Sequence, residues 1–175
     1  MVIRSLYAVV LVGYFGALGW AMTQLPARIA SHFDDAGQAD GWMDRTGYLA
    51  MGLGLGVFVL VGLPLLARLL LRGSGVGINV PHKDYWLDPA HPQRRVEFAR
   101  RFTDDMLAIA AATGVLFAWL HIETVIANRQ TPPQTGAATW VALAAYLFVI
   151  FGYVALILWK RYTPPEDDPS AIRYR

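Results

Sequence analysis

Residues 25–46, Leu25-Pro26-Ala27-Arg28-Ile29-Ala30-Ser31-His32-Phe33-Asp34-Asp35-Ala36-Gly37-Gln38-Ala39-Asp40-Gly41-Trp42-Met43-Asp44-Arg45-Thr46, form a polar, turn-rich island between two long apolar runs. The run before it is long enough for one membrane crossing, and the chain after it contains three more such runs. Within the island, Ile29 to Phe33 alternates apolar and polar residues like a short strand, and Asp34-Asp35-Ala36-Gly37 and Asp40-Gly41 are turn sequences. A compact hairpin or Ω-like loop lying on the membrane is the expected result. Asp44 stands where its side chain can cap the next helix.

Working outward, the first span covers about residues 5–24, with Arg4 at its mouth and Tyr7 and Trp20 near its ends. A cleaved signal peptide is the competing reading. Its apolar core would run to about 7–15 residues, shorter than this stretch, so a retained helix ended by Pro26 is expected. Gly13, Gly16, Ala17 and Ala21 offer a neighbouring helix a close approach. The second span, about 47–71, carries Gly52-x-x-x-Gly56 as a packing seam and Pro64 as a kink. Residues 72–101 follow as a loop containing Gly73-Ser74-Gly75-Val76-Gly77. That glycine run lacks the Gly-Lys-Ser/Thr ending of a phosphate loop, and nucleotide binding is not expected. From Gln93 the spacing of Val96, Phe98, Ala99 and Phe102 is amphipathic and leads into a third span, about 102–127. A short Pro132-Pro133 loop joins it to an uncharged fourth span, about 138–159.

The whole reads as an all-α integral membrane protein with four transmembrane helices and an ordered extracytoplasmic loop between the first two. Residues 1–160 make the transmembrane domain. Residues 161–175, rich in Pro, Asp and Glu, are expected to be a disordered cytoplasmic tail. Composition agrees: 175 residues are 55% hydrophobic and only 16% charged, and mean hydropathy is +0.37, too apolar for an ordinary soluble domain. The absence of cysteine removes disulfides, thiolate metal sites and cysteine nucleophiles. A pI near 9.0 reflects basic residues placed beside the spans, so a lipid surface explains them better than nucleic acid. Four spans put the amino terminus, the second loop and the tail on one side, where twelve of the fifteen Lys and Arg fall. The three others are Arg28, Arg45 and Arg129. That asymmetry predicts an inner (plasma) membrane location with both termini cytoplasmic and the first loop outside.

Two motifs carry a resemblance. Leu25-Pro26-x-Arg28-Ile29-x-x-His32-Phe33-Asp34-x-x-Gly37-x-x-Asp40-Gly41-Trp42 resembles the signature of an uncharacterised bacterial membrane domain. That domain forms the amino-terminal part of SdpI-type immunity proteins. Asn79-x-Pro81-x-Lys83-Asp84-Tyr85-Trp86-Leu87 is similar to the same family's cytoplasmic motif. Ala30 stands where a proline is usual, and His82 where an asparagine is usual. Asp44-Arg45 replaces a small residue followed by lysine. The resemblance implies a membrane fold and an immunity or signalling role.

Three groups of residues are candidates for function. His32, Asp34, Asp35 and Asp40, joined by His121 and Glu123 from the third span, could assemble a hydrophilic cluster at the outer surface. Such a cluster would read a ligand or a proton, or hold a divalent metal as a cofactor. The blander alternative has the aspartates bonding turn amides and His32 capping or packing under Trp42. Asn79, Pro81, Lys83, Asp84, Tyr85 and Trp86 on the inner loop could meet lipid, or a cytoplasmic or membrane protein partner. Asp104 and Asp105, intramembrane acids, suggest either a relay or ion pairs with the neighbouring arginines Arg94, Arg95, Arg100 and Arg101. The expected function is a non-enzymatic sensor, accessory or immunity-related protein reading an extracytoplasmic peptide or envelope condition. A small transporter using Asp104, Asp105, His121 and Glu123 is one alternative; a metal-dependent hydrolase at the outer face is another.

Overall fold

The computed structural model describes residues 2–73, 75 and 77–174, so Ser74 and Val76 of the glycine run and Arg175 lie outside the described residues. Four helices are long and apolar enough to cross a membrane: Val2–Gln24, Arg45–Arg72, Pro92–Asn128 and Ala137–Arg161. Their lengths of 23, 28, 37 and 25 residues all exceed the roughly 20 needed to cross hydrocarbon. The first is α1 (Val2–Gln24). The second comprises α2 (Arg45–Gly56), a π-helical stretch Val57–Gly62 and α3 (Leu63–Arg72). A short helix α4 (Lys83–Trp86) precedes α5 (Pro92–Asn128), and α6 (Ala137–Leu156) begins the fourth span. The architecture is that expected of a multi-pass membrane protein.

Helix α5 is the post of the bundle, and α1 packs along it more extensively than any other helix. Val10, Tyr14, Leu18 and Ala21 of α1 are its buried residues, spaced four, four and three apart on one face. The second span closes against this pair through its glycines. A Cβ at Gly56 would lie 2.2 Å from the Tyr14 ring, and one at Gly52 would lie 2.7 Å from Leu18. The Gly52-x-x-x-Gly56 seam is therefore a contact surface, with the Tyr14 hydroxyl donating to the Gly52 carbonyl across 2.5 Å. Gly13 and Gly16, expected to serve α1 in the same way, face open space.

Pro64 acts on the second span through its neighbours. Lacking an N–H, it leaves the Leu60 carbonyl one turn back without its usual helical partner. The hydroxyl of Tyr7 donates to that carbonyl, and the helix widens to π geometry over Val57–Gly62 just before the proline. Helix α6 has no buried residue. Phe148, Phe151 and Trp159 stand exposed on the fourth span, surfaces suited to hydrocarbon.

The island between the first two spans is an antiparallel hairpin of β1 (Arg28–Phe33) and β2 (Ala39–Asp44). Asp34 fixes its turn by accepting from the Gln38 amide at 2.7 Å, and Gly37 takes the left-handed conformation the turn needs, with φ of 78°. The loop after α5 docks beside the tip: the Thr135 amide donates to the Gly37 carbonyl at 2.9 Å. Asp44 caps α2 by accepting from the Gly47 amide at 2.6 Å. Arg45 closes the other side by donating to the Met22 and Leu25 carbonyls at the end of α1.

The tail departs from the disorder expected of its composition. Tyr162, Pro164 and Ala171 are buried, and Pro169–Tyr174 form a 3₁₀ turn. The physical reason is a specific receptor. Trp86 donates its indole N–H to the Tyr162 carbonyl at 2.8 Å, and Tyr85 donates its hydroxyl to Asp168 at 2.7 Å. A few directed bonds over an aromatic floor order a segment whose apolar content alone would not.

Candidate functional site

Two polar centres sit on α5. The first lies at the hairpin end. His121 and Glu123 are both nearly buried, carried by the last turns of α5 beneath the hairpin. The Nδ1 atom of His121 lies 2.8 Å from the Tyr48 hydroxyl, and its Nε2 is buried without a hydrogen-bond partner. Thr139, at the start of α6, donates its hydroxyl to Glu123 at 2.9 Å. The two side chains open on a cavity of about 210 Å³ whose walls include Phe33, Tyr48, Leu55 and Phe117. The cavity is lined mainly by apolar atoms, with a carboxylate and an imidazole set into its wall.

The outer-loop candidates do not gather with them. His32 is exposed and paired with Asp40, Asp34 is committed to the turn, and Asp35 is exposed. Among the described residues, no group of three His, Asp or Glu side chains is placed to hold a metal ion. The hairpin is held to the bundle by a residue the sequence did not flag. The Asn128 amide accepts from the Ala30 N–H at 2.8 Å and donates to the Ala30 carbonyl at 2.9 Å, taking the place of a third strand.

The second centre lies at the tail end. Asp105 is 1% exposed and accepts from the hydroxyls of Tyr153 and Tyr162, at 2.7 and 2.6 Å, and from Nε of Arg161 at 3.0 Å. Its charge partner is thus Arg161, not one of the neighbouring arginines proposed from spacing. Asp104 does approach Arg100, at 3.9 Å. Tyr85 and Trp86 are buried rather than displayed to a partner, while Asn79 and Asp84 remain exposed and Pro81 and Lys83 half-buried. Arg94 spans the gap to the tail. Its guanidinium lies 4.0 Å above the Tyr85 ring and donates to Asp168 at 2.8 Å and to Ser170.

Electrostatics follow from this packing. Hydrogen bonds from Ser170 first and Tyr85 next, with Arg94 adding its charge, hold the Asp168 carboxyl well below its ordinary range. Burial first, then the bond to Asp168, pushes the Tyr85 hydroxyl up. Tyr162 is raised likewise, by burial and then by Asp105. Both hydroxyls therefore stay protonated as donors at neutral pH.

Fold and centres together define a class: a small multi-pass helical bundle with a hairpin-capped pocket at one end and a clasped tail at the other. Within it, residues 9–55 match the family model described as a domain of unknown function (DUF1648), in agreement with the resemblance carried by the Leu25–Trp42 motif. The match takes in most of α1, the whole hairpin and nearly all of α2. Neither the curated proteins nor the solved structures contain a match.

Proposed function

We infer that this chain is a non-enzymatic membrane sensor or accessory protein, its hairpin end facing outward and its tail end in the cytoplasm. The side assignment is supported by the excess of Lys and Arg at the tail end. The pocket beneath the hairpin receives an extracytoplasmic peptide or other envelope-derived ligand. The surface built by α4 and the clasped tail is where a cytoplasmic or membrane partner reads the result.

One observation carries this reading: a single unbroken helix, α5, bears both His121–Glu123 and Asp105. At 1.5 Å per residue, the 16 steps between Asp105 and His121 are about 24 Å, most of the hydrocarbon thickness. A small rotation or shift of α5 on pocket occupancy would alter the geometry offered to Arg161, Tyr162 and, through Arg94, Asp168. Two packings of α5 with different ligand affinity are the minimum such a device needs. A proton path through Asp105 is less well supported, since three donors from the fourth span and the tail engage its two oxygens.

The cysteine-free sequence permits a direct test. Ala171→Cys places a thiol at a fully buried tail position, so its labelling rate in proteoliposomes reports release of the tail. Asp168→Ala, which removes the clasp, should raise that rate and calibrates the assay. Glu123→Gln and His121→Phe, at the far end of α5, should also change it severalfold. Rates equal to the parent's in both pocket variants, with the calibration intact, would overturn the coupling.

A further inference from the structure

We propose that the pocket beneath the hairpin binds a compact amphiphilic cation, its ammonium head against Glu123 and its apolar body between Phe33, Leu55 and Phe117. The inference names the ligand chemistry of the site used above and rests on the reading of that cavity as the sensing pocket.

The argument starts from Glu123. It is 5% exposed, on a helix apolar enough to cross a membrane, where an acid is costly unless matched. Asp105, the other buried acid, has Arg161 at 3.0 Å. Among the described residues, Glu123 has no Lys, Arg or His within ion-pair distance, and the bond it receives is from the neutral hydroxyl of Thr139. A buried carboxylate facing a cavity without a cation selects a ligand that brings one.

His121 supplies the second point. It is 6% exposed; Tyr48 occupies Nδ1, and Nε2, buried and unpartnered, belongs to a ring lining the same cavity. A buried nitrogen left this way carries an uncompensated desolvation cost, which a ligand hydrogen bond at that point recovers. The walls supply the rest. Phe33 and Phe117 offer aromatic surface, which favours an ammonium head as well as an apolar body. With about 210 Å³ of space, the cavity lies below the ~300–1,000 Å³ of drug-sized sites, so the occupant is compact. An anion would meet Glu123 with no Lys or Arg lining the cavity to offset it. A divalent metal would find two imidazole or carboxylate ligands there, His121 and Glu123, fewer than the three or four such ligands of a zinc-type site.

The shared chemistry is a primary ammonium on an apolar stem, and it has two natural sources: a free amine or the head group of an aminophospholipid. The probe is phenethylammonium, titrated calorimetrically into the full chain in zwitterionic phosphatidylcholine nanodiscs, with empty discs subtracted, beside phenylacetate and 2-phenylethanol as anionic and neutral counterparts. Saturable binding of the ammonium, at least tenfold tighter than either counterpart, is expected, and Glu123→Gln should weaken it at least tenfold. Comparable binding of all three, or a Gln variant that binds as well as the parent, would overturn the proposal. The selectivity among probes is measured on the parent protein, so the proposal stays testable if the variant fails to fold. In discs containing phosphatidylethanolamine, competition would assign the lipid head group as the source, and its absence a free amine; either result follows from the cation site. Ammonium binding that leaves tail labelling unchanged would sink the coupling and leave this site standing.

Discussion

The carboxylate of Asp105 accepts a hydrogen bond from the Tyr162 hydroxyl across 2.6 Å, tying the third span to the first residue beyond the fourth. That bond, with those from Tyr153 and Arg161, adds to the Trp86 and Arg101 bonds to the Tyr162 and Arg161 carbonyls in holding the fourth span at the tail end, where α6 itself buries no residue. Asp105→Ala would leave a guanidinium and two hydroxyls without their acceptor, a loss of about 3–5 kcal/mol for a broken buried pair. Tyr162→Phe should cost about 1.5–3 kcal/mol, the range for a hydrogen bond to a charged group. Thermal or denaturant unfolding in detergent measures both. An Asp105→Ala protein as stable as the parent would refute the assignment.

Acid should open the tail clasp. The Asp168 carboxyl is held below the ordinary aspartate value of 3.8 only while it receives Ser170, Tyr85 and Arg94. A group whose pKa is depressed in the docked state favours docking above its free pKa and loses that contribution as pH falls through the docked value. The tail should therefore stay docked from neutrality down to the ordinary carboxylate range and loosen progressively below it. Spin labels at Asp84→Cys and Glu166→Cys would show their separation broadening under acid. A separation unchanged in acid, or one that broadens already near neutral pH, would contradict the arrangement.

The glycines of the second and third spans make a graded prediction. Gly56→Ala would drive a methyl against the Tyr14 ring, and Gly114→Ala would place one 2.7 Å from Leu60 and 2.8 Å from Val10. Each should destabilise by about 1–3 kcal/mol, as overpacking does. Gly54, two residues from Gly56, has nothing within 4 Å; Gly54→Ala should be neutral or stabilising by up to ~1 kcal/mol. Equal effects at Gly54 and Gly56 would show that the seam faces elsewhere.

Asn128→Ala should free the hairpin without unfolding the bundle. It removes the partner of both backbone groups of Ala30, an unsatisfied-group cost of about 1–3 kcal/mol each. Hydrogen exchange at the Ala30 amide should accelerate strongly while amides in the middle of α5 stay protected. Unchanged exchange at Ala30 would mean that the hairpin is held by its own ladder.

Much of this architecture was legible in the chain because it is written locally. Apolar run length gave four helices, Asp34-Asp35-Ala36-Gly37 a turn, Asp44 a cap and Gly52-x-x-x-Gly56 a seam, since each depends on residues within a turn or two of one another. The centres were only half legible. His121, Glu123 and Asp105 stood out as acids and imidazole in apolar surroundings, yet their partners did not. Tyr48 lies 73 residues from His121 in the chain, and Tyr162 lies 57 from Asp105, separations that no periodicity reports. The tail failed for a different reason. Composition measures whether a segment can fold alone, and Tyr162–Ala171 orders on a surface made by Tyr85, Trp86 and Arg94. The same burial means that the inner-loop motif expected to greet a partner already holds a segment of its own chain.

The placement of pocket and tail on opposite faces of a bilayer is the central claim, and thiol accessibility in intact cells tests it most directly. Ala36→Cys puts a thiol at the exposed hairpin turn and Glu166→Cys puts one on the exposed side of the tail, in a chain with no cysteine of its own. A membrane-impermeant maleimide should label position 36 in intact cells and position 166 only after permeabilisation. Labelling of both positions from outside, or of position 166 alone, would contradict the account.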